Sequence, residues 1–322
     1  MGFLKNLFSG KESTAEEKEQ KQKDNDFDVL KYDGIHAMRI GRFAYAIACF
    51  THALDIHEDV ETREHLAAAY VRTDDLELAL DEFSKLIELA PDNIQYSLNK
   101  ANLLYELEKY EECRDLCNSM SENGEKPAVA FYILSRVELA EGKLESAEKN
   151  VNSAIEKSEE FESAWLLRAD IRYKREDYSG ALSDLDHLLN GGQESDEVLL
   201  QKGKVLEAMG NQEDAILYYN NVLTQNPFIM EAYANLALLH IRSGNYDKAS
   251  EVISDGLEQN GESSLLIGIR AALKASQGDS EGAALDRQLS AEYKKAEEEQ
   301  EDENYDVERA VKEQMMSTNP LL

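Results

Sequence analysis

Residues 196–229 read DEVLLQKGKVLEAMGNQEDAILYYNNVLTQNPFI. Two apolar-periodic stretches are separated by Gly210 and closed by Pro227, with a small residue, Gly203 or Ala215, inside each. A glycine just past a helix adopts the left-handed conformation at least cost. A proline past the next helix ends it, because the residue before proline disfavours the helical region. The segment therefore reads as two helices joined by a tight turn.

Outward from that segment, the same markers recur on one clock. Alanines fall at 79, 147, 181, 215, 249 and 283, each 34 residues or a multiple of 34 from the next. The vacant slot holds Cys113, another small residue, and Ala46 stands 33 residues before Ala79. Gly41, Gly142, Gly210, Gly244 and Gly278 each lie five residues before such an alanine, and Pro91 and Pro227 are 136 apart. Between the markers apolar side chains repeat at i, i+3, i+4 and i+7, as in Leu76, Ala79, Leu80, Phe83 and Leu86. Position 8 of each unit is small as well: Gly34, Ala67, Ala101, Ser135, Ala169, Gly203, Ala237 and Ala271. Small residues at positions 8 and 20 let two antiparallel helices approach closely. One helix pair cannot bury its apolar stripe on both sides, so such pairs come as a stacked array.

A period of 34 residues with Gly203, Gly210, Ala215, Tyr219 and Pro227 resembles the tetratricopeptide repeat (TPR). So do Trp165, Ala169, Tyr178 and Ala181 in the unit before, and Ala67, Ala79, Phe83 and Pro91 nearer the start. The resemblance implies an all-α, right-handed α-solenoid of helix–turn–helix repeats over 27–296. Eight units begin near residues 27, 60, 94, 128, 162, 196, 230 and 264. The pattern weakens where Cys113 and Cys117 replace the usual alanine and aromatic, and where Arg287 takes the aromatic slot. The latter suits a terminal repeat with one wet face.

The chain of 322 residues carries 65 acidic and 34 basic side chains, a net charge of −31, with 42% apolar residues and four prolines. Apolar content at this level supports a folded core. The charge argues against gripping nucleic-acid phosphates, which needs Lys/Arg patches, and against broad contact with anionic membranes. Three cysteines are not a secreted disulfide framework. No apolar run reaches membrane-spanning length, and Lys5 interrupts the N-terminus without a cleavage site, which is not a signal peptide. These features point to the cytoplasm.

At the ends, residues 1–26 comprise an amphipathic start and a flexible polar linker over 9–26, which lacks apolar periodicity. Phe3, Leu4, Leu7 and Phe8 share one helical face, a small foot for a membrane surface or a partner groove. Residues 297–322 form an acidic extension and tail.

No constellation points to catalysis. Cys113 and Cys117 have metal-compatible spacing but occupy packing slots. His52, His57 and His65 lack zincin spacing and read as surface or structural histidines. Asp24, Asp26 and Asp28 imitate a calcium loop, but Val29 and Ile35 stand where glycine and glutamate are required. There is no phosphate loop and no nucleophile elbow. We expect a non-enzymatic chain with no cofactor and no metal.

In the repeats this chain resembles, positions 2, 5, 9, 12 and 13 of each first helix line a concave groove. Here those positions carry seven basic and eight acidic residues, near neutrality against −31 for the chain. The richest lining is Leu98, Asn102, Tyr105, Tyr132, Arg136, Leu139, Tyr173 and Lys174, aromatic and cationic types that dominate interface energetics. The resemblance implies a protein-interaction adaptor or assembly factor whose partner is a protein or peptide segment. Its apolar side chains would lie among the tyrosines, with carboxylates on Arg136 and Lys174. Alternatively the tyrosines pack between adjacent first helices. The family's clamp for acidic chaperone tails is incomplete: Lys31 fits its first slot, while Ile35, His65, Gln95 and Asn99 do not. A second reading is a peripheral membrane scaffold anchored through residues 1–8. Nucleic-acid partners are not expected, since an RNA-binding helical repeat would need a basic groove.

Overall fold

The computed structural model describes residues 14–120 and 126–296. Among them every regular element is an α-helix, and they divide into two compact units between Lys109 and Tyr110. The first unit contains α1 (Ala15–Arg39), α2 (Phe43–Ile56), α3 (Val60–Arg72), α4 (Leu76–Leu89) and α5 (Ile94–Glu106). The second contains α6 (Tyr110–Ser119), α7 (Ala128–Ala140), α8 (Leu144–Lys157), α9 (Glu162–Lys174) and α10 (Tyr178–Asn190). It continues with α11 (Asp196–Ala208), α12 (Gln212–Gln225), α13 (Met230–Arg242), α14 (Tyr246–Gln259), α15 (Ser264–Ser276) and a last helix, α16 (280–296). The odd-numbered helices from α3 onward start at Val60, Ile94, Ala128, Glu162, Asp196, Met230 and Ser264, always 34 residues apart.

The turn inside each hairpin is the same object throughout. Its residue at position 15 has positive φ: Gly41, Gly142, Gly210, Gly244 and Gly278. Where the sequence lacks glycine, Asp74, Glu108 and Glu176 are forced into the same conformation at φ 56°, 57° and 62°. The hairpin geometry thus overrides residue preference at three sites, each at a cost of roughly 1–2 kcal/mol.

Close approach of the paired helices is visible at position 8. A Cβ added to Gly203 would lie 2.6 Å from the Tyr219 ring, and one added to Gly34 would lie 2.5 Å from the Phe50 ring. Tyr219 and Phe50 are fully buried. At Ser135 the hydroxyl donates to the Ala147 carbonyl oxygen at 2.8 Å, tying position 8 to position 20 of the same hairpin. Ala147, Ala181, Ala215, Ala249 and Ala283 have no exposed surface. Within the second unit each hairpin core merges with the next first helix: Tyr219 and Val222 on α12 join Leu199 and Leu206 on α11 and Ala232 and Leu236 on α13.

Charged pairs stitch successive hairpins. Arg114 on α6 binds Glu138 at 3.0 Å and also Glu141. One repeat later the same three positions reverse sign: Glu148 on α8 binds Arg172 at 3.1 Å and also Arg175. A buried carboxylate at position 23 also recurs. Asp184 takes Arg168 at 2.8 Å and Arg172 at 2.7 Å, and Asp286 takes Arg270 and Lys274, both at 2.8 Å.

The polar stretch read as a flexible linker over 9–26 is helical from Ala15 onward. Thr14 and Glu17 form a reciprocal capping box. Along the exposed turns Gln20 donates to Asp24, Gln22 to Asp26, and Lys23 pairs with Glu19. Without glycine or proline, capping and i,i+4 pairs sustain a helix that has no apolar face to bury. The same helix removes the calcium-loop resemblance of Asp24, Asp26 and Asp28. At the other end Arg287 is exposed on α16, as the wet face of a terminal repeat requires.

Two substitutions test the hairpin geometry by urea unfolding. Gly203→Ala should destabilise the second unit by about 1–2 kcal/mol, since crowding the Tyr219 ring outweighs the gain in helix propensity. Glu176→Gly should stabilise it by about 1 kcal/mol by relieving the left-handed backbone. An unchanged midpoint in both would refute this account of the turn and the close approach.

Candidate functional site

The chosen groove residues fall in both units, and each unit is described by itself. In the first, Leu98 is buried within the packing around α5, so it presents no surface to a partner; a leucine at this position is short enough to sink entirely into the core. Asn102 and Tyr105 are half-buried on the same helix. Lys31 on α1 is held at 2.8 Å by Asp59 and 2.7 Å by Glu61. Burial would raise the Asp59 carboxyl, but hydrogen bonds from Lys31 and Thr62 hold it down at about 2. The histidines are structural: His57 stacks on Phe27 at 3.8 Å, His65 on Phe50 at 5.5 Å, and His52 lies 3.6 Å from Asp55.

In the second unit, α7, α9, α11 and α13 form the first-helix face. Tyr132 does two jobs there. Its ring packs against Phe161 at 5.0 Å and on the cluster around Val151 and Ile171, and it also lines a cavity of about 190 Å³ with Leu166, Asp170 and Gln201. Tyr173 packs on the Ala169–Leu185 cluster and against Tyr178 at 5.7 Å. It also borders a larger cavity of about 540 Å³ with Lys204, Glu207, Asn235, Leu238 and Arg242. Packing and lining are thus shared by the same rings. Leu139 is half-buried against the α8 core. Arg136 is half-buried above Cys113. Cys113 and Cys117 are fully buried. The hydrogen bond from Cys117, aided by Arg136 and Arg114, holds Cys113 below the usual thiol range, while that contact and burial push Cys117 up. Among the described residues no three His, Cys, Asp or Glu side chains converge as a metal site.

The expectation that Lys174 awaits a partner's carboxylate needs correction. Its ammonium lies 2.6 Å from Asp170 one turn back on α9. Lys204 is likewise bound to Glu231, and Arg242 to Glu207. The near-neutrality of this face is therefore internal pairing. Cations on a first helix fall beside carboxylates one turn away or on the next first helix.

Asn235 was overlooked. Its side-chain Nδ2 is buried without a hydrogen-bond partner at the wall of the larger cavity. An unsatisfied buried donor costs about 1–3 kcal/mol. The available signal was a lone carboxamide in the apolar run Ala232–Leu239.

A sequence profile of the tetratricopeptide repeat matches residues 34–94, 133–191 and 200–263, more than half of the chain. The chain belongs to the tetratricopeptide repeat family. It is similar to the Hsp70-Hsp90 organizing protein of Triticum aestivum, 26% identical over 176 residues, covering 53% of this chain and 30% of that protein. Hsp70-Hsp90 organizing protein 1 of Glycine max is 24% identical over 257 residues, covering 66% and 44%. The chain thus spans less than half the length of these relatives. A tetratricopeptide repeat protein from Parabacteroides merdae shares the fold with a TM-score of 0.60 at 19% identity, covering 73% of this chain and 93% of that one.

No helix among the described residues is long and apolar enough to cross a membrane. Phe3, Leu4, Leu7 and Phe8, like residues 297–322, lie outside the described residues.

On α13, whose other residues line the cavity, His240 is buried and its Nδ1 has no partner. Burial, with Lys248 nearby, holds its pKa below the ordinary 6.5. The unfolded chain therefore binds a proton more readily than the folded one. The stabilisation from neutral His240 is complete above about pH 6.5 and is lost as pH falls toward the lower folded value. Urea midpoints followed from about pH 7.5 to about pH 5.5 should fall in the wild type, and His240→Asn should flatten that slope. Parallel slopes would show that His240 is not the titrating group.

Proposed function

We propose that the chain is a non-enzymatic protein-interaction adaptor that takes a peptide segment on the first-helix face of its second unit. The observation that carries this reading is the unpaired Asn235 Nδ2 at the wall of a cavity bordered by Tyr173 and Leu238. An extended peptide supplies what is missing, a carbonyl oxygen for the amide and apolar side chains for the ring and the leucine. Tyr132, Leu139 and Arg136 extend the same face along α7. Acidic side chains contribute less than the sequence suggests, because Lys204, Arg242 and Lys174 already hold carboxylates. A client carboxylate would displace one acceptor by another, with little net gain.

The relatives are named as organisers of Hsp70 and Hsp90. Carrying those partners to this chain meets two obstacles. The clamp set is incomplete, and its one matching cation, Lys31, is bound to Asp59 and Glu61. We therefore favour a client held by main-chain and apolar contacts over an acidic chaperone tail.

The test pairs stability with capture. Asn235→Leu removes a buried unpaired donor, so unfolding free energy should rise by about 1 kcal/mol, while proteins captured from native cell extract should be lost. Tyr173→Ala should lose the same set. Retention of the same proteins by both variants would remove this face as the working surface.

A further inference from the structure

On the second-helix side of the same unit, a separate cavity of about 520 Å³ opens between α10 and α12, with Leu189 and Leu199 among its walls. This lies within the range of small-ligand sites, about 300–1,000 Å³. The connection from α10 to α11 helps shape it. Helix α10 has 13 residues where α8, α12 and α14 have 14. Gly191 and the left-handed Gly192, at φ 86°, then turn the chain so that Glu194 stands at the cavity wall.

The charges in the wall are unequal. Lys202 Nζ lies 2.6 Å from Asp186 Oδ1 and 4.6 Å from the centre of the Tyr218 ring. Burial disfavours the charged lysine, but Asp186 and Tyr218 hold its pKa above the ordinary value. Lys202 and Asp186 therefore cancel, and Glu194 is left as the net charge. Around it stand the carboxamides of Asn190, Asn221 and Gln225. Among the described residues none of these four side chains has a hydrogen bond or ion pair. The cavity thus offers one carboxylate and three amide oxygens to a single guest.

A guest that matches is cationic and rich in donors. A guanidinium presents five N–H donors in a planar fork, whereas an ammonium presents three from a point. A chain of net charge −31 also draws basic partners toward its surface. We propose that this cavity receives an arginine side chain of a basic partner protein, its guanidinium on Glu194 and on the amide oxygens of Asn190, Asn221 and Gln225. This site is independent of the first-helix face, so one chain can hold two partners at once.

The experiment is an amide NMR titration of the full chain with acetyl-Gly-Arg-Gly-amide, with citrulline and lysine counterparts as controls. Saturable shifts centred on α10, α11 and α12 are expected with the arginine peptide. The citrulline and lysine peptides, and the Glu194→Gln chain, should each bind roughly tenfold more weakly, the loss of one charge-assisted hydrogen bond. Asn221→Asp should tighten the arginine peptide by a similar factor. Glu194 is exposed in a loop, so circular dichroism should report an unchanged fold in its variant. Equal binding of arginine and citrulline, equal binding of arginine and lysine, an affinity indifferent to Glu194, or no saturable shift would each overturn the assignment.

Discussion

The separation of the two helices within a hairpin depends on one contact, a small side chain at position 8 facing the residue at position 24. Gly203 admits the Tyr219 ring and Gly34 admits the Phe50 ring, each at a distance that leaves no room for a Cβ. Where position 8 is alanine, the facing residue is smaller or less constrained, as with Ala169 and Leu185 or Ala237 and Ile253. The summed volume is conserved while its partition varies. That spacing sets the inter-hairpin seam, and the seam decides which side chains remain for the surface. Tyr132 and Tyr173 reach cavities only because their ring bodies are already anchored in it.

Charge plays a different part from the one net charge suggests. Alternating signs at equivalent positions, Arg114 against Glu138 and then Glu148 against Arg172, make each hairpin a match for its true neighbour and a poor match for the next. Repeats of similar sequence are prone to pairing out of order, and like charges meeting at such a step oppose it. The same habit of internal pairing neutralises the first-helix face at Lys174, Lys204 and Arg242. What stays unpaired is sparse: the Asn235 amide on one side, and Glu194 with three carboxamides on the other.

Much of the candidate site was legible because the repeat assigns each residue a phase. Tyr132, Leu139, Tyr173 and Arg136 were found from phase alone. Leu98 was misplaced, since phase says which way a side chain points but not whether a neighbour covers it. Lys174 was misjudged because its partner Asp170 could equally have turned to solvent. Asn235 escaped because an isolated carboxamide becomes informative only when its donor is seen to lack an acceptor. The stretch before Phe27 was read as linker because periodicity detects burial, whereas this helical turn is held by capping and exposed pairs.

The sequence by itself determined the hairpin, its period and its turn, because small residues, glycines and apolar stripes act locally and repeat. It even located the left-handed turn at Asp74, Glu108 and Glu176, where glycine is absent, since the period demands one there. Tertiary structure alone decided which polar groups are spent and which remain available. That outcome depends on distances between side chains 16 to 35 residues apart, such as Arg168 with Asp184 or Arg242 with Glu207. Recognition chemistry resides in what those pairings leave over, and a one-dimensional pattern does not contain those distances.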